Sequence, residues 1–206
     1  MPLSADSLEF RYTNNASHTT NTLSLGGSIS SNEITNNIVF DDVTADESQT
    51  GKTEYRAIGL INLDPNYDYL DVKVWISGYD RASTKPDTIS FALEKPSGGN
   101  GAIQGPLASE TTAPDEDLFV VDTGATVSWT TEDSGATLTY GTIDHGGDMW
   151  MGIWLRRQVP SDAEAKSDRT CTITVRGETS GSPLEILEKT LIVKWTKDAF
   201  SVVEKA

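Results

Sequence analysis

The residues that could act as nucleophiles, general bases or general acids are few in this chain and widely spaced. It has two histidines, His18 and His145, in stretches that are rich in Asn, Ser and Thr or in Gly. A catalytic histidine needs a nucleophile and an orienting carboxylate beside it, and nothing in the sequence indicates that arrangement. We therefore expect both histidines to lie in polar loops, and we expect no catalytic residues and no enzymatic activity.

Two acidic stretches could offer oxygen ligands to a metal ion. Residues 144–148 (DHGGD) add an imidazole to two carboxylates, and residues 41–42 with 46–47 bring four carboxylates that could hold calcium. The spacing of a calcium-binding loop, with alternating carboxylates around a central glycine and a distal glutamate, is absent. We expect a solvated turn at the first stretch, and neither a metal nor a cofactor in the protein.

The single cysteine, Cys171, excludes an intrachain disulfide. It lies in a run of alternating polar and apolar residues, on the same side as Ile173 and Val175. This position is typical of a buried structural thiol rather than of a nucleophile, so we expect Cys171 to belong to the core.

The charge of the chain argues against some classes of partner. With 16 basic and 31 acidic residues among 206, the net charge is −15, whereas binding to nucleic acid through phosphates needs clustered Lys and Arg. Residues 1–10 lack a basic start and an apolar stretch, so we expect no signal peptide. No apolar run approaches the roughly 20 residues that span a bilayer. We expect a protein that folds in a cytoplasm and binds neither nucleic acid nor a membrane.

The elements that must position any site are predicted to be strands, because apolar and polar residues alternate with a period of two between clusters of Gly, Pro, Asn and Asp. Two short helices are further candidates, at Leu184–Lys189 and Asp162–Lys166. The pattern predicts an all-β fold, an immunoglobulin-like or jelly-roll-like antiparallel β-sandwich with an extended N-terminal arm. The predicted strands include Leu8–Tyr12, Leu23–Leu25, Ile38–Phe40, Leu70–Ile76, Ile89–Leu93, Val127–Trp129, Leu138–Tyr140, Cys171–Val175 and Leu191–Trp195.

The composition changes along the chain and predicts three parts. Residues 1–52 are rich in Asn, Ser and Thr and form the arm with its short strands. Residues 53–180 form the sandwich, and residues 181–206 add a C-terminal strand and tail. Within the sandwich, Lys95–Asp117 is a long polar insertion with several prolines and glycines, and such connections are usually functional surface or disordered.

Aromatic residues give the strongest indication of a contact surface. Trp150 and Trp154 lie on the opposite side of their strand from Met151 and Ile153, so this strand is apolar on both faces. Either it is central and covered by an extension of the chain, or one face binds a partner. Arg156 and Arg157 follow, and in an acidic chain they could pair with an acidic neighbour or a partner subunit. The candidate interface residues are Leu23, Leu25, Phe40, Trp150, Trp154, Arg156 and Arg157.

Four segments together resemble virion structural proteins of tailed bacteriophages that have an immunoglobulin-like β-sandwich. They are Glu54–Asn62, Val72–Ile76, Trp154–Pro160 and Thr172–Gly177. The resemblance spans roughly residues 23–177 and contains no active-site motif. It implies a non-enzymatic virion component that folds in the host cytoplasm and then assembles with other virion proteins as a homo-oligomer.

The leading hypothesis is a head decoration protein that binds the major capsid protein, and the alternative is a tail, neck or baseplate component. A third hypothesis is a carbohydrate-binding module that stacks sugars on Trp75, Trp129 or Trp154. If residues 1–50 are an arm, deleting Met1–Gly51 should spare the sandwich and abolish assembly. If Leu8–Tyr12 instead pairs within the sandwich, the deletion should bare a sheet edge and cause aggregation.

Overall fold

A computed structural model places ten strands, within the residues that it describes, in two antiparallel sheets packed face to face. This confirms the all-β sandwich that the period-two patterns predict. The described residues are 4–80, 85, 87–96, 103–121, 129–131, 137–146, 149–163 and 165–197.

The larger sheet has six strands, and its centre is the pairing of β3 with β8. These two strands are matched over ten consecutive positions, from Lys52 opposite Val159 to Ile61 opposite Trp150. In spatial order the six strands are β2 (Ile29–Glu33), β1 (Leu8–Thr13), β3 (Lys52–Asn62), β8 (Trp150–Val159), β5 (Thr88–Leu93) and β6 (Thr130–Thr131).

The smaller sheet has four strands and covers one face of the larger sheet. Its spatial order is β10 (Ile186–Lys197), β9 (Lys166–Thr179), β4 (Tyr69–Tyr79) and β7 (Leu138–Ile143).

The main core lies between the two sheets and is built from alternate positions of each strand. Ile58 and Leu155 of the larger sheet and Val74 and Val193 of the smaller sheet are fully buried in it. Cys171 is fully buried in the same core, as its place in an alternating run predicts.

The extended arm predicted for residues 1–52 is wrong for the part that is described. β1 pairs with β3, with Leu8 opposite Asn62 and Tyr12 opposite Ile58. The side chains of Phe10 and Phe40 belong to the main core. The physical reason is that β8 pairs with one edge of β3, so the other edge needs backbone partners as well. β1 supplies them for residues 58–62.

Four predicted short elements also differ from the structure. Leu23 ends a single 3₁₀ turn, Asn21–Leu23. Residues 38–40 are not a strand. They are held to β1 by a side chain instead, since the hydroxyl of Tyr12 donates a hydrogen bond to the carbonyl of Ile38 at 2.5 Å. The two predicted helices are absent from the described residues, because 186–189 begins β10 and 162–163 is a turn before β9. The predicted strand at 127–129 lies mostly outside the described residues.

The α-helix that the structure describes, α1 (Ala45–Thr50), was not predicted. It begins with a capping box in which the Thr44 hydroxyl accepts from the Glu47 amide and the Glu47 carboxylate accepts from the Thr44 amide. The spacing of Thr44 and Glu47 is a sequence signal for a helix start. Reading this segment only as a source of carboxylates missed it.

The burial of β1 makes the N-terminal segment necessary for stability. Phe10 is 2% exposed, whereas Leu23 is 51% exposed. We expect Phe10→Ala to lower the free energy of unfolding by about 3–5 kcal/mol. The matched variant Leu23→Ala should change it by no more than about 0.5 kcal/mol. Urea denaturation of both variants measures this, and equal small effects would mean that β1 is not part of the core.

Candidate functional site

A buried cluster of charged side chains lies at one end of the central strand pair. Glu54 and Arg56 of β3 continue the face that carries Ile58, and the register places Arg157 of β8 opposite Glu54. All three charged side chains are fully buried. At the end of the main core, the inward positions of β3 and β8 are therefore occupied by charged residues instead of apolar ones.

The cluster is closed by residues from the loops around it. Arg56 Nη2 lies 2.9 Å from Asp41 Oδ1 and 2.7 Å from Glu110 Oε2, and Arg157 forms an ion pair with Glu54. Both guanidinium groups lie over the ring of Phe40. The Arg157 group is 4.8 Å from the ring centroid and the Arg56 group is 5.4 Å from it. Phe40 thus provides an apolar surface against which two cations stack.

Lys52 joins the edge of this cluster and contacts three carboxylates. Its Nζ lies 2.6 Å from Glu47, 2.7 Å from Glu110 and 3.0 Å from Glu54. Burial opposes the charge of Lys52, but the hydrogen bonds outweigh it and raise its pKa. Burial likewise opposes the charges of Glu47 and Glu110, and the hydrogen bonds from Lys52 help to lower the pKa of each carboxyl. Lys52, Glu47 and Glu110 are therefore held in their charged forms.

The same cluster contains three carboxylates with the spacing of metal ligands. Oxygen atoms of Asp41, Glu54 and Glu110 lie within 4.8 Å of one another. However, the cations of Lys52, Arg56 and Arg157 already occupy the positions between these carboxylates. The charges balance through side chains of the chain itself, so the arrangement is that of a structural ion network.

The acidic stretch that was considered for calcium does not converge on one point. Asp41 binds Arg56, while Asp42 accepts a hydrogen bond from the amide of Thr196 at 2.7 Å. Glu47 caps α1, and Asp46 lies in the first turn of that helix. These carboxylates stabilise separate elements of the fold.

His145 has a carboxylate partner but lacks the other parts of a catalytic site in the described residues. Its Nδ1 lies 2.6 Å from Asp68 Oδ1, and the same oxygen accepts from the His145 amide at 2.9 Å. No hydroxyl or thiol of the described residues forms a hydrogen bond with the imidazole. The Ser180 hydroxyl instead accepts from the Asp68 amide. The pair holds two loops together, and His18 lies exposed in another loop.

The second face of β8 is buried under loops. Trp150 and Trp154 belong to a separate apolar cluster on the side of the larger sheet that faces away from the smaller sheet. The structure therefore confirms the first of the two alternatives for this strand, a central position covered by the chain's own extension. The other buried members of this outer cluster are Ala57, Ile61, Ala92, Ile103, Phe119 and Trp129.

The covering loops are two segments that hydrogen-bond to each other. The Gly27 amide donates to the Gln104 carbonyl at 2.8 Å, and the Leu107 amide donates to the Leu25 carbonyl at 2.9 Å. The predicted polar insertion is thus partly a lid of the fold. The lid needs space, which Gly152 provides, because a Cβ there would lie 2.5 Å from Ile103. Gly59, opposite Gly152, similarly makes room for the ring of Trp150.

A single carboxyl group is buried in this outer cluster. The indole Nε1 of Trp154 donates to Glu94 Oε2 at 2.9 Å, and Glu94 is 5% exposed. Burial disfavours its charged form and raises the pKa of Glu94 to about 7, although the hydrogen bond from Trp154 acts in the opposite direction. A perturbed carboxyl is often catalytic, but this one is held by the indole of Trp154 and by the backbone of Gln104 in the lid.

Most of the candidate interface residues are not at the surface of the single chain. Leu23 is exposed, and Arg156 is half-buried, with its Nε bonded to Ser90 and its guanidinium 4.7 Å from the centre of the Trp129 ring. The interface itself stays a prediction. Of the seven candidate residues, Leu23 and Arg156 alone are accessible to a partner of the single chain. The buried ones are Leu25, Phe40, Trp150, Trp154 and Arg157.

Of the three tryptophans considered for sugar binding, Trp75 alone is partly exposed. Trp154 is fully buried, and Trp129 is covered by Arg156 and donates to Glu116 at 2.7 Å. Trp75 lines an open groove of about 430 Å³ on the outer face of the smaller sheet. The groove also includes Asp71, Lys73, Arg176, Glu178 and Ile186.

In the described part of the chain, no helix is long and apolar enough to cross a membrane. No family model and no curated protein matches the sequence.

Three solved structures are similar to this chain at low identity. The N-terminal domain of PorA is 13% identical with a TM-score of 0.43, over 94% of this chain and 99% of that domain. A family 123 glycoside hydrolase from Clostridium perfringens, studied for glycolipid glycan hydrolysis, is 10% identical with a TM-score of 0.34, over 80% of this chain and 23% of that enzyme. AvmM, which catalyses macrocyclization in alchivemycin A biosynthesis, is 10% identical with a TM-score of 0.30, over 78% of this chain and 86% of that one. At these scores the similarities carry no argument about function.

The buried ion network should be far more important for stability than a surface pair. Glu54→Gln removes one charge and leaves Arg157 buried with only the more distant Asp41 carboxylate, at 3.9 Å, as a counter-ion. We therefore expect the free energy of unfolding to fall by about 3–5 kcal/mol. The control Glu9→Gln breaks a half-exposed pair with Arg11 and should cost about 0–1 kcal/mol. Comparable losses in chemical denaturation would show that the network is not structural.

Glu94 should make stability depend on pH. Its pKa is about 7 in the folded chain and near the ordinary 4.5 when unfolded, so between these values the folded state binds a proton that the unfolded state lacks. The stabilisation is complete below pH 4.5 and is lost as the pH rises to about 7. Glu94→Gln keeps an oxygen acceptor for Trp154 but cannot ionise.

We therefore expect the melting temperature of the wild-type protein to fall, relative to that of Glu94→Gln, as the pH is raised from 5 to 7.5. Thermal melts at several pH values measure the difference. Parallel curves for the two proteins over this range would contradict the assignment of Glu94 as a buried, neutral carboxyl.

Proposed function

We propose that this chain is a non-enzymatic structural subunit of a tailed-bacteriophage virion, a head decoration protein that binds the capsid surface. Its partners would be other virion proteins, first among them the major capsid protein. A tail, neck or baseplate position is the alternative within the same class. The resemblance of four segments to virion structural proteins motivates the proposal, since two of those segments form the paired strands β3 and β8.

The observation that carries the proposal is the internal pairing of buried charges. An enzyme site keeps ionisable groups directed at a space that a substrate can enter. In the described residues, each fully or nearly fully buried charged side chain instead contacts a polar group of the same chain. These residues are Glu54, Arg56, Asp64, Asp87, Glu94, Arg157 and Arg169. This arrangement supports a role in binding and assembly rather than in catalysis.

A carbohydrate-binding module is the second candidate, and the groove around Trp75 favours it. An aromatic ring flanked by charged groups on a sheet surface can stack on a sugar and bind its hydroxyl groups. Both basic and acidic side chains line the groove, as expected of a site for a polar, neutral ligand. Of the three tryptophans first considered, this one alone remains available for such contact.

The copy number of the protein in purified virus particles tests the proposal. We expect quantitative mass spectrometry to find the protein at hundreds of copies per particle, and purified protein to co-sediment with empty heads. A handful of copies would support the neck or baseplate alternative. Absence from particles, together with glycan binding that Trp75→Ala abolishes and Leu23→Ala preserves, would contradict the virion proposal and support the carbohydrate-binding module.

A further inference from the structure

The outer edge of β10 is the longest regular strand edge at the border of either sheet in the described structure. β10 pairs with β9 at ten successive positions, from Ile186 to Trp195, without a bulge. The other border strands carry features that limit edge pairing. β2 has five residues, β6 has two, and the pairing of β7 with β4 is interrupted by register shifts.

The C-terminal part of this edge is already covered by the chain itself. The Lys194 amide donates to the Asn37 carbonyl at 2.9 Å, and the Val43 amide donates to the Thr196 carbonyl at 2.8 Å. These bonds show that even-numbered residues of β10 direct their backbone groups away from β9. Four further outward positions have no backbone partner within the described residues. They are Ile186, Glu188, Thr190 and Ile192.

The open edge is also apolar and close to neutral. Leu184 is 63% exposed, Ile186 59% and Ile192 42%. Between residues 186 and 194 the chain has two lysines and one glutamate, a net charge of +1, whereas the whole chain has −15. The acidic surface elsewhere would repel a second copy, whereas the small charge of this edge opposes its approach only weakly.

We propose that the open edge of β10 pairs antiparallel with the same edge of a second copy of this chain. The twofold axis passes at Lys189, so that Ile186 faces Ile192 of the second copy and Glu188 faces Thr190 of the second copy. This register uses all four open positions and none of the backbone groups that already bond to Asn37 and Val43. It joins the two four-stranded sheets into one continuous sheet and places apolar side chains together on its outer face.

The side chain at the axis is compatible with this register. Lys189 is half-buried, and its Nζ donates to the Ala5 carbonyl of its own chain at 3.1 Å. Its ammonium group is therefore held by a local acceptor rather than by the second copy. The proposal depends only on this strand edge, so it stands or falls independently of whether the protein is part of a virion.

Charge substitutions on the edge test both the pairing and its register. We expect sedimentation velocity of the full chain to show a monomer–dimer equilibrium. Ile186→Lys and Ile192→Glu, each alone, should raise the dimer dissociation constant by at least about tenfold. The double variant places lysine opposite glutamate twice in the proposed register and should return the constant toward the wild-type value. Leu118→Glu, at an exposed apolar residue elsewhere, should change nothing.

A further variant keeps the test valid if a charge at these positions disturbs folding. Thr190→Pro removes an amide that points away from β9, so it breaks no bond within the sheet and should abolish the dimer. A wild-type protein that is monomeric at all concentrations would overturn the proposal. So would a dimer that none of these variants weakens. Weakening by the single variants without recovery in the double variant would overturn the register centred on Lys189.

Discussion

Strand β8 buries both of its faces. The rest of the fold must therefore supply a layer of chain on each side of it. Met151, Ile153 and Leu155 face the smaller sheet, while Trp150 and Trp154 face outward. A strand that is apolar on both sides is stable only where both sides are kept from water. The smaller sheet covers one side, and two loops that hydrogen-bond to each other cover the other.

The outer cover explains why a long polar insertion and a glycine-rich turn are needed in a domain of this size. Gly59 and Gly152 lie opposite each other and leave space for the Trp150 ring and for Ile103. Gly26, with a φ of +102°, brings the chain against the Trp154 ring and the Gln104 carbonyl. Because Trp150, Trp154 and the loops over them serve this packing, they offer no surface to a partner. Among the described residues, the exposed edge of β10 and the groove around Trp75 are open to one.

The charged residues follow the same division between interior and surface. Where β3 and β8 run past the apolar core, Glu54, Arg56 and Arg157 take the inward positions and neutralise one another with loop carboxylates. Removing one member of such a network is costly, because the remaining charge stays buried. The network therefore fixes the loops at this end of the sandwich.

The period of hydrophobicity predicted β1, β4, β5, β9 and β10 well, because each of these strands alternates over at least five residues. It failed where the signal was short. Three-residue runs such as Leu23–Leu25 carry no information about their partner, and the apolar spacing of Leu184 and Leu187 suits a helix as well as a strand. The capping box at Thr44 was available in the sequence. Contacts such as Trp154 with Glu94 join residues far apart in the chain, and no local pattern predicts them.

Amide hydrogen exchange tests most directly the proposal that two copies of this chain pair through the open edge of β10. Exchange should be measured on the full chain at low and high protein concentration. The outward amides of Glu188, Thr190 and Ile192 should exchange rapidly when dilute and slowly when concentrated, while the inward amides of Leu187 and Leu191 stay protected throughout. Rapid exchange of the outward amides at every concentration would contradict the account.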